Sequence, residues 1–355
     1  MTLKGLVVRR GYLLSGCRVA GVACLMAVLA VPWSTHAEAF EAPSLVGTEG
    51  SPIADAPSLA TIDLGTLGGP LSDALDVNQA RDTVGASWTS TGYVHAFLWT
   101  AHSGMADLGT VASSYSQANA INNRGHVVGQ SGHGFFWTSQ TGMVDLGAFQ
   151  PVDINDSDQV LGNDAGAAFV WSPATGLTQL GSLGGASAGT AINNRGEIVG
   201  TSYTATGARR AFVWSPLNGM RDIGTLGGSD SAANGINDRG EVVGGSTTSS
   251  GAFHPFRWSA ETGMLDLALA SPPTLFGPIT GTARGVNNRG EVVGSGIGVG
   301  NSIRLRPFKW SAAVGIVNLP GPGFGVATAI SDRGDVAGVV GQTSSSHAVI
   351  WIGSP

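Results

Sequence analysis

Four groups of residues in this 355-residue chain could do chemistry. His95, His133, His254 and His347 each open a run of the form "HAFxW", and imidazole in a repeated register suggests zinc. Asp63, Asp107, Asp145, Asp222 and Asp266 each open "DLG" or a close relative. Two such carboxylates about 5–10 Å apart would suit glycoside hydrolysis. "DINDSD" at 153–158 alternates acids and amides as a calcium loop does. It lacks the downstream bidentate glutamate and the glycine spacing of an EF-hand. "GASAG" at 185–189 matches the letters of a nucleophile elbow around Ser187. An elbow needs a strand, a turn and a helix, and here another strand is expected to follow.

Recurrence weighs against all four. A catalytic group is needed once, whereas these positions return along the whole chain. Three signatures rotate in fixed order from residue 61 onward, seven times each. "DLGTLGG" or a relative begins at 63, 107, 145, 179, 222, 266 and 318. "IN-x-x-G-x-VVG" follows, with its asparagine at 78, 122, 155, 193, 237 and 287 and Ser331 in the last copy. "HAFxW" ends at Trp99, Trp137, Trp171, Trp214, Trp258, Trp310 and Trp351. Spacings of 33 to 52 residues mark one supersecondary unit per copy.

Each unit divides into four short extended runs, shown in the fifth by "SAANGIN", "EVVGGS", "FHPFRWS" and "GMLDLA". β-Branched and aromatic residues fill the runs, and Gly, Asn, Ser and Thr separate them. "N-[ND]-R-G" suits a tight turn because Gly196, Gly240 and Gly290 allow positive φ. Asp158 in unit three fits that position less well, and Arg81 in unit one fits it poorly. In the third run Phe and Trp are two apart and share one face, the natural core between units.

The chain ends indicate closure. The first unit begins with "TIDLGTLGG", which lacks a preceding "HAFxW" run, and the chain ends at "HAVIWIGSP", which lacks a following "DLG" run. Each end supplies the strand that the other lacks, as in a ring. The expected fold is therefore all-β, a seven-bladed β-propeller with the N-terminal strand closing the last blade, ahead of an open solenoid or two smaller barrels. "GINDRGEVVG", "HAFLW" and "GMRDIGTLGG" together resemble the HAF repeat of predicted extracellular bacterial proteins. The resemblance covers 61–355 and implies export and repeat architecture without an established chemistry. Unit three departs with Ala167 for His, and units four and six with Arg210 and Arg306. "EVVGGS" also resembles the glycine-ended strands of kelch blades.

In such a ring, third-strand histidines lie apart and cannot share one ion. They are expected to be half-buried and bonded to neighbouring backbone. The aspartates fall on outermost strands and cannot pair as glycosidase acids. "DINDSD" fills a hairpin slot and reads as a plain turn. No metal and no cofactor is implied.

Residues 1–37 read as an export signal: a basic start is followed by "VAGVACLMAVLAV" at 19–31, too short to span a bilayer. Small residues at Thr35, Ala37 and Ala39 offer cleavage sites. "VRRGYLL" at 8–14 resembles a twin-arginine signal, with Val8 and Leu14 departing from it, and "LSGC" at 14–17 precedes the apolar run that a lipobox should end. Residues 38–60 read as a flexible linker. Both cysteines, Cys17 and Cys24, lie in the signal, so an exported chain holds together without disulfides. The net charge of −6 becomes about ten acidic charges once Lys4, Arg9, Arg10 and Arg18 are set aside, which excludes a basic nucleic-acid face. No stable membrane span is expected after signal removal, and the location is extracytoplasmic.

The functional expectation is a non-catalytic binding or structural module for a glycan or protein. The alternative is a glycan-acting propeller enzyme with its site on the loop-rich face. That alternative must draw on the innermost strands, where Asp76, Asp153 and Arg284 stand out among small residues. The turns between strands one–two and three–four are uniform, whereas the two–three and four–one connections vary and lie on the opposite face. Variable loops on a rigid scaffold are where recognition is usually placed. They carry Trp88, Tyr93, Tyr115, Tyr203, Arg209, Phe253, Phe276 and Arg304, the expected ligand-binding residues.

Overall fold

The computed structural model describes residues 59–353 apart from 173, 271–279, 298–304, 323 and 343–344. The signal at 1–37, nearly all of the linker, Phe276 and Arg304 lie outside the described residues. Seven antiparallel four-stranded sheets form the seven blades of a β-propeller. Blade five runs outward through Gly227–Ile236, Val242–Thr248, Phe253–Ser259 and Gly263–Asp266. The innermost strands of blades one to four and six are Gly68–Val77, Gln117–Ile121, Gln150–Ile154, Gly184–Ile192 and Thr280–Val286.

Blade seven joins the two ends of the chain. Its strands are Phe324–Ile330, Val336–Gln342, Ser345–Trp351 and, outermost, Thr61–Asp63. Thr61 pairs with Trp351 and Asp63 with Val349. The ladder extends by one bond at each end, Leu64 N to Ala348 O (2.9 Å) and Ile352 N to Ala60 O (2.8 Å). Closure uses a short strand, since Gly68 and Gly69 already belong to blade one.

Phe and Trp of the third strand pack between blades as their spacing implies. Phe97 and Trp99 of blade one share a cluster with Ala337, Ala348 and Ile350 of blade seven. The five phenylalanines at 97, 135, 212, 256 and 308 are essentially inaccessible. The tryptophans are graded: Trp351 is fully buried and Trp258 and Trp310 nearly so, whereas Trp137, Trp171 and Trp214 are half-buried.

The "NNRG" runs are turns at the inner end of each blade, and their first residue does more than turn the chain. Asn193 Oδ1 accepts Arg195 N (3.0 Å) and Glu197 N (2.9 Å), while Nδ2 donates to Asn237 O of the next blade (3.0 Å). The same cross-blade bond joins Asn78, Asn122, Asn155, Asn237 and Asn287 to their successors. Ser331 is too short to continue it to blade one, and there an Arg81–Asp335 ion pair of 2.7 Å crosses the closure. Arg81 and Asp158 do take positive φ, 70° and 57°, in the slots that glycine fills elsewhere.

Every innermost strand carries a bulge that leaves one residue out of the ladder. A bulge re-aims its side chain. Asn119, Thr190, Asn234 and Thr328 use theirs to reach a backbone carbonyl of the following blade.

Candidate functional site

The two–three hairpins of blades one, four and five are built alike, contrary to the expected variety. "TSTG", "TATG" and "TSSG" reverse the chain with Gly92, Gly207 and Gly251 at φ 83–85°. What differs is the side chains they present. In blade one Trp88 pairs across from Val94, and Tyr93 is 52% exposed. In blade four Tyr203 pairs with Arg209 and is 45% exposed. Trp88 and Arg209 are half-buried.

Among the described candidate residues, Trp88, Tyr93 and Tyr115 gather on blades one and two and Tyr203 and Arg209 pair on blade four, while Phe253 stands on blade five. Ser116 N donates to Val94 O (3.0 Å), which places Tyr115 beside the Trp88–Val94 pair. Tyr115 Oη donates to Gln117 Oε1 (2.7 Å), and through Gln117 and Asn119 the network runs on into blade three. Phe253 packs inward, because a Cβ on Gly245 would lie 2.4 Å from its Cε1. It belongs to the scaffold more than to a recognition surface.

The histidine and aspartate signatures prove to be one feature. His95 Nδ1 lies 2.8 Å from Asp107 Oδ2, and His254 Nδ1 lies 2.8 Å from Asp266 Oδ2. His133 pairs with Asp145 and His347 with Asp63 in the same way. Arg210 substitutes for the histidine beside Asp222 at 3.5 Å. The expectation of backbone partners is therefore corrected to carboxylate partners. A constant separation of twelve residues about the three–four turn was the available signal.

"DINDSD" forms the blade-three turn, and its carboxylates have protein partners. Asp156 accepts from Asn123 and Asn194, and Asp158 accepts from Arg124, His126 and Asn122. No cluster of three metal-ligating groups occurs among the described residues. Ser187 is buried within a strand and donates to Gly181 O (2.9 Å). Ser72, Ser116 and Ser231 do the same at equivalent positions, so the residue is a strut between blades. The sequence singled out Ser187 only as a candidate nucleophile, and the repeated strut went unseen although its near-constant distance from "DLG" could have revealed it.

The innermost strands carry the three ionisable residues that the sequence singles out there. Asp76 Oδ1 accepts Val77 N (2.8 Å) and Oδ2 accepts Ile121 N of blade two (2.9 Å). Asp153 accepts Ile154 N and Ile192 N at 2.8 Å each. Burial pushes the Asp76 carboxyl up to about 6. Burial, and then repulsion from Asp76, push Asp153 up to about 8 against the pull of those amides. Arg284 sits at its bulge with Nε buried and without a hydrogen-bond partner, and burial lowers its guanidinium.

Two hollows open on the "NNRG" face. One, of about 170 Å³, is the mouth of the ring, lined by Val/Ile–Asn–Asn/Asp triplets of the turns, with Gln79 in blade one and Ser331 in blade seven as the exceptions. The other is a larger cleft between blades four and five, of about 730 Å³.

No protein-family model matches this chain, and no curated protein matches it. Solved structures do share its architecture. It is similar to an extracellular domain from B. thetaiotaomicron, with a TM-score of 0.52 and 9% identity over 83% of this chain and 40% of that one. It is similar to the β-propeller domain of the Trilobed protease from Pyrococcus furiosus, described as having an open velcro topology, with a TM-score of 0.52 and 9% identity over 80% and 96% of the two chains. The Cps50 (Swd1) β-propeller domain of Myceliophteria thermophila gives 0.50 and 12% identity, over 82% and 100%. The chain spans well under half of the first of these. What it shares with all three is the β-propeller fold.

Proposed function

We propose that the protein is an exported, non-catalytic β-propeller of the HAF-repeat kind that holds a glycan or protein ligand on its loop-bearing face. The observation that carries this reading is that Tyr93, in one two–three hairpin turn, and Tyr203, on the strand entering another, are well exposed, with Trp88 and Arg209 close to them in their hairpins. Aromatic side chains with arginine on a rigid frame are the usual makings of a binding hot spot. The basic start and apolar run of 1–37 support export, and among the described residues no helix is long and apolar enough to cross a membrane.

A panel of glycans and candidate protein partners, offered to the wild-type chain and to Trp88→Ala and Tyr203→Ala, tests the reading. Binding should weaken in both variants while the melting temperature stays put. Binding that survives them, and fails when the "NNRG" turns are altered, would place the working face on the other side. Turnover of a glycan in the same panel, abolished by Asp153→Ala, would favour the enzyme alternative.

A further inference from the structure

The cleft between blades four and five departs from the repeat at the outer strand of blade four. Outer-strand positions paired with the residue before the tryptophan of "HAFxW" are Ile62, Ala106, Val144, Thr178, Leu265 and Val317 in six blades, and Arg221 in blade four. The Arg221 guanidinium lies over the Trp258 ring of blade five, 5.7 Å from its centroid. The three–four turn of the same blade departs too. Blades one, two, three and five place Ser103, Thr141, Thr175 and Thr262 there, each bonded to the hydroxyl that opens the turn. Blade four has Asn218 and blade six Val314, neither of which makes such a bond, and in blade four the preceding Leu217 is 95% exposed. A repeat protein can change such positions without disturbing its core, so departures gathered at one junction mark specialisation.

The charges of the cleft are incompletely matched. Arg195 pairs with Glu197 at 2.5 Å and Arg239 with Glu241 at 2.9 Å, and Arg257 also closes on Glu241. Burial alone would raise the Glu241 carboxyl, but hydrogen bonds from Asn237, Arg239 and Arg257 outweigh it and hold the group below its usual range. Glu241 is thus fully engaged. Two donors are left over: Arg257 Nε, buried without a partner, and the whole Arg221 guanidinium, which has no carboxylate in ion-pair range among the described residues. Glu261, which also lines the cleft, makes no ion pair among the described residues. Around them stand the hydroxyls of Ser215, Ser259 and Thr262 and the indole of Trp214.

We infer that this cleft is a binding site for a carboxylate-bearing saccharide, a short uronate oligosaccharide, with Arg221 taking the carboxylate. A cleft of 730 Å³ falls within the range of small-ligand sites. An unpaired guanidinium recognises a carboxylate bidentately. Glu261, Asn218 and the three hydroxyls offer the mixed donors and acceptors that sugar hydroxyls need. An acidic peptide would bring further charge against Glu261 and use few of the hydroxyls. The site is independent of the loop-face reading, since it is built from one–two and three–four turns at the opposite ends of the strands.

Isothermal titration of the full chain with trigalacturonate, neutral galactotriose and hexaglutamate tests it. Arg221→Leu installs the residue that blade five uses at this position, so the fold should hold, and Arg221→Lys keeps the charge without the fork. Trigalacturonate should bind the wild type, less tightly as salt rises, and galactotriose should bind at least about tenfold more weakly. Arg221→Leu should lose about tenfold or more at an unchanged melting temperature, Arg221→Lys should fall between, and Trp88→Ala should bind as the wild type does. The inference is overturned if trigalacturonate does not bind, if galactotriose binds equally, if hexaglutamate alone binds, or if either Arg221 variant binds like the wild type.

Discussion

His347 Nδ1 and Asp63 Oδ2 lie 2.8 Å apart across 284 residues of chain. They repeat, between the two ends, the pair that His95 and Asp107 make within one hairpin. The junction of the ring is thus built from the same parts as its interior, with the covalent turn left out. Both side chains are well exposed, 38% and 59%, so the pair itself contributes little, and the strand that carries Asp63 contributes the closure.

His347→Ala should therefore cost no more than about 1 kcal/mol. Deleting 59–63 should lower the melting temperature sharply and promote association, because the edge of Ser345–Trp351 is left open. Thermal melts with light scattering check both. Equal effects from the two changes would show that the ion pair, and not the strand, holds the ring closed.

The tryptophans should not be equivalent. Trp351 is fully buried and its Nε1 donates to Pro320 O (2.7 Å), so Trp351→Ala should cost about 3–5 kcal/mol. Trp214 is half-buried and should cost distinctly less. Urea unfolding of both variants gives the comparison.

Glycine should help at one positive-φ residue and harm at another. Ala165 and Gly166, at φ 46° and 80°, form a two-residue hairpin loop, and Ala165 is exposed. Ala165→Gly should stabilise by up to about 1 kcal/mol. Arg81→Gly relieves similar strain but strips its ion pair from Asp335, a carboxyl with no exposure that also accepts Gly353 N (2.9 Å). It should destabilise by about 1–3 kcal/mol. Opposite signs in denaturant unfolding are the expected result.

Stability should fall as pH rises from about 4 to about 8. Asp76 and Asp153 are raised to about 6 and about 8, so their protonated forms suit the folded state better than the unfolded one, where the ordinary value is 3.8. Their contribution is full below that value and is lost as pH passes the folded values. The Asp76→Ala, Asp153→Ala double variant should be less stable overall, because it orphans the amides of Ile121 and Ile192, yet flatter in this range. A variant profile as steep as that of the wild type would locate the pH dependence elsewhere.

Much of this was legible along the chain. Seven copies of three signatures set the number of blades, the alternation of Phe and Trp set the face each third strand buries, and the mismatched ends set the closure. These follow from neighbours in sequence: side-chain alternation, the φ demanded by a turn, and the order in which units recur. The partners of His95, the cross-blade reach of Asn193, the Asp76–Asp153 coupling and the cleft beside Arg221 were not legible. Each joins residues on different strands or different blades, and its geometry depends on how sheets twist and stack. Trp214 and Trp351 occupy the same place in the repeat and end with different burial. The unit is encoded locally, but what two units enclose between them is decided only when they pack.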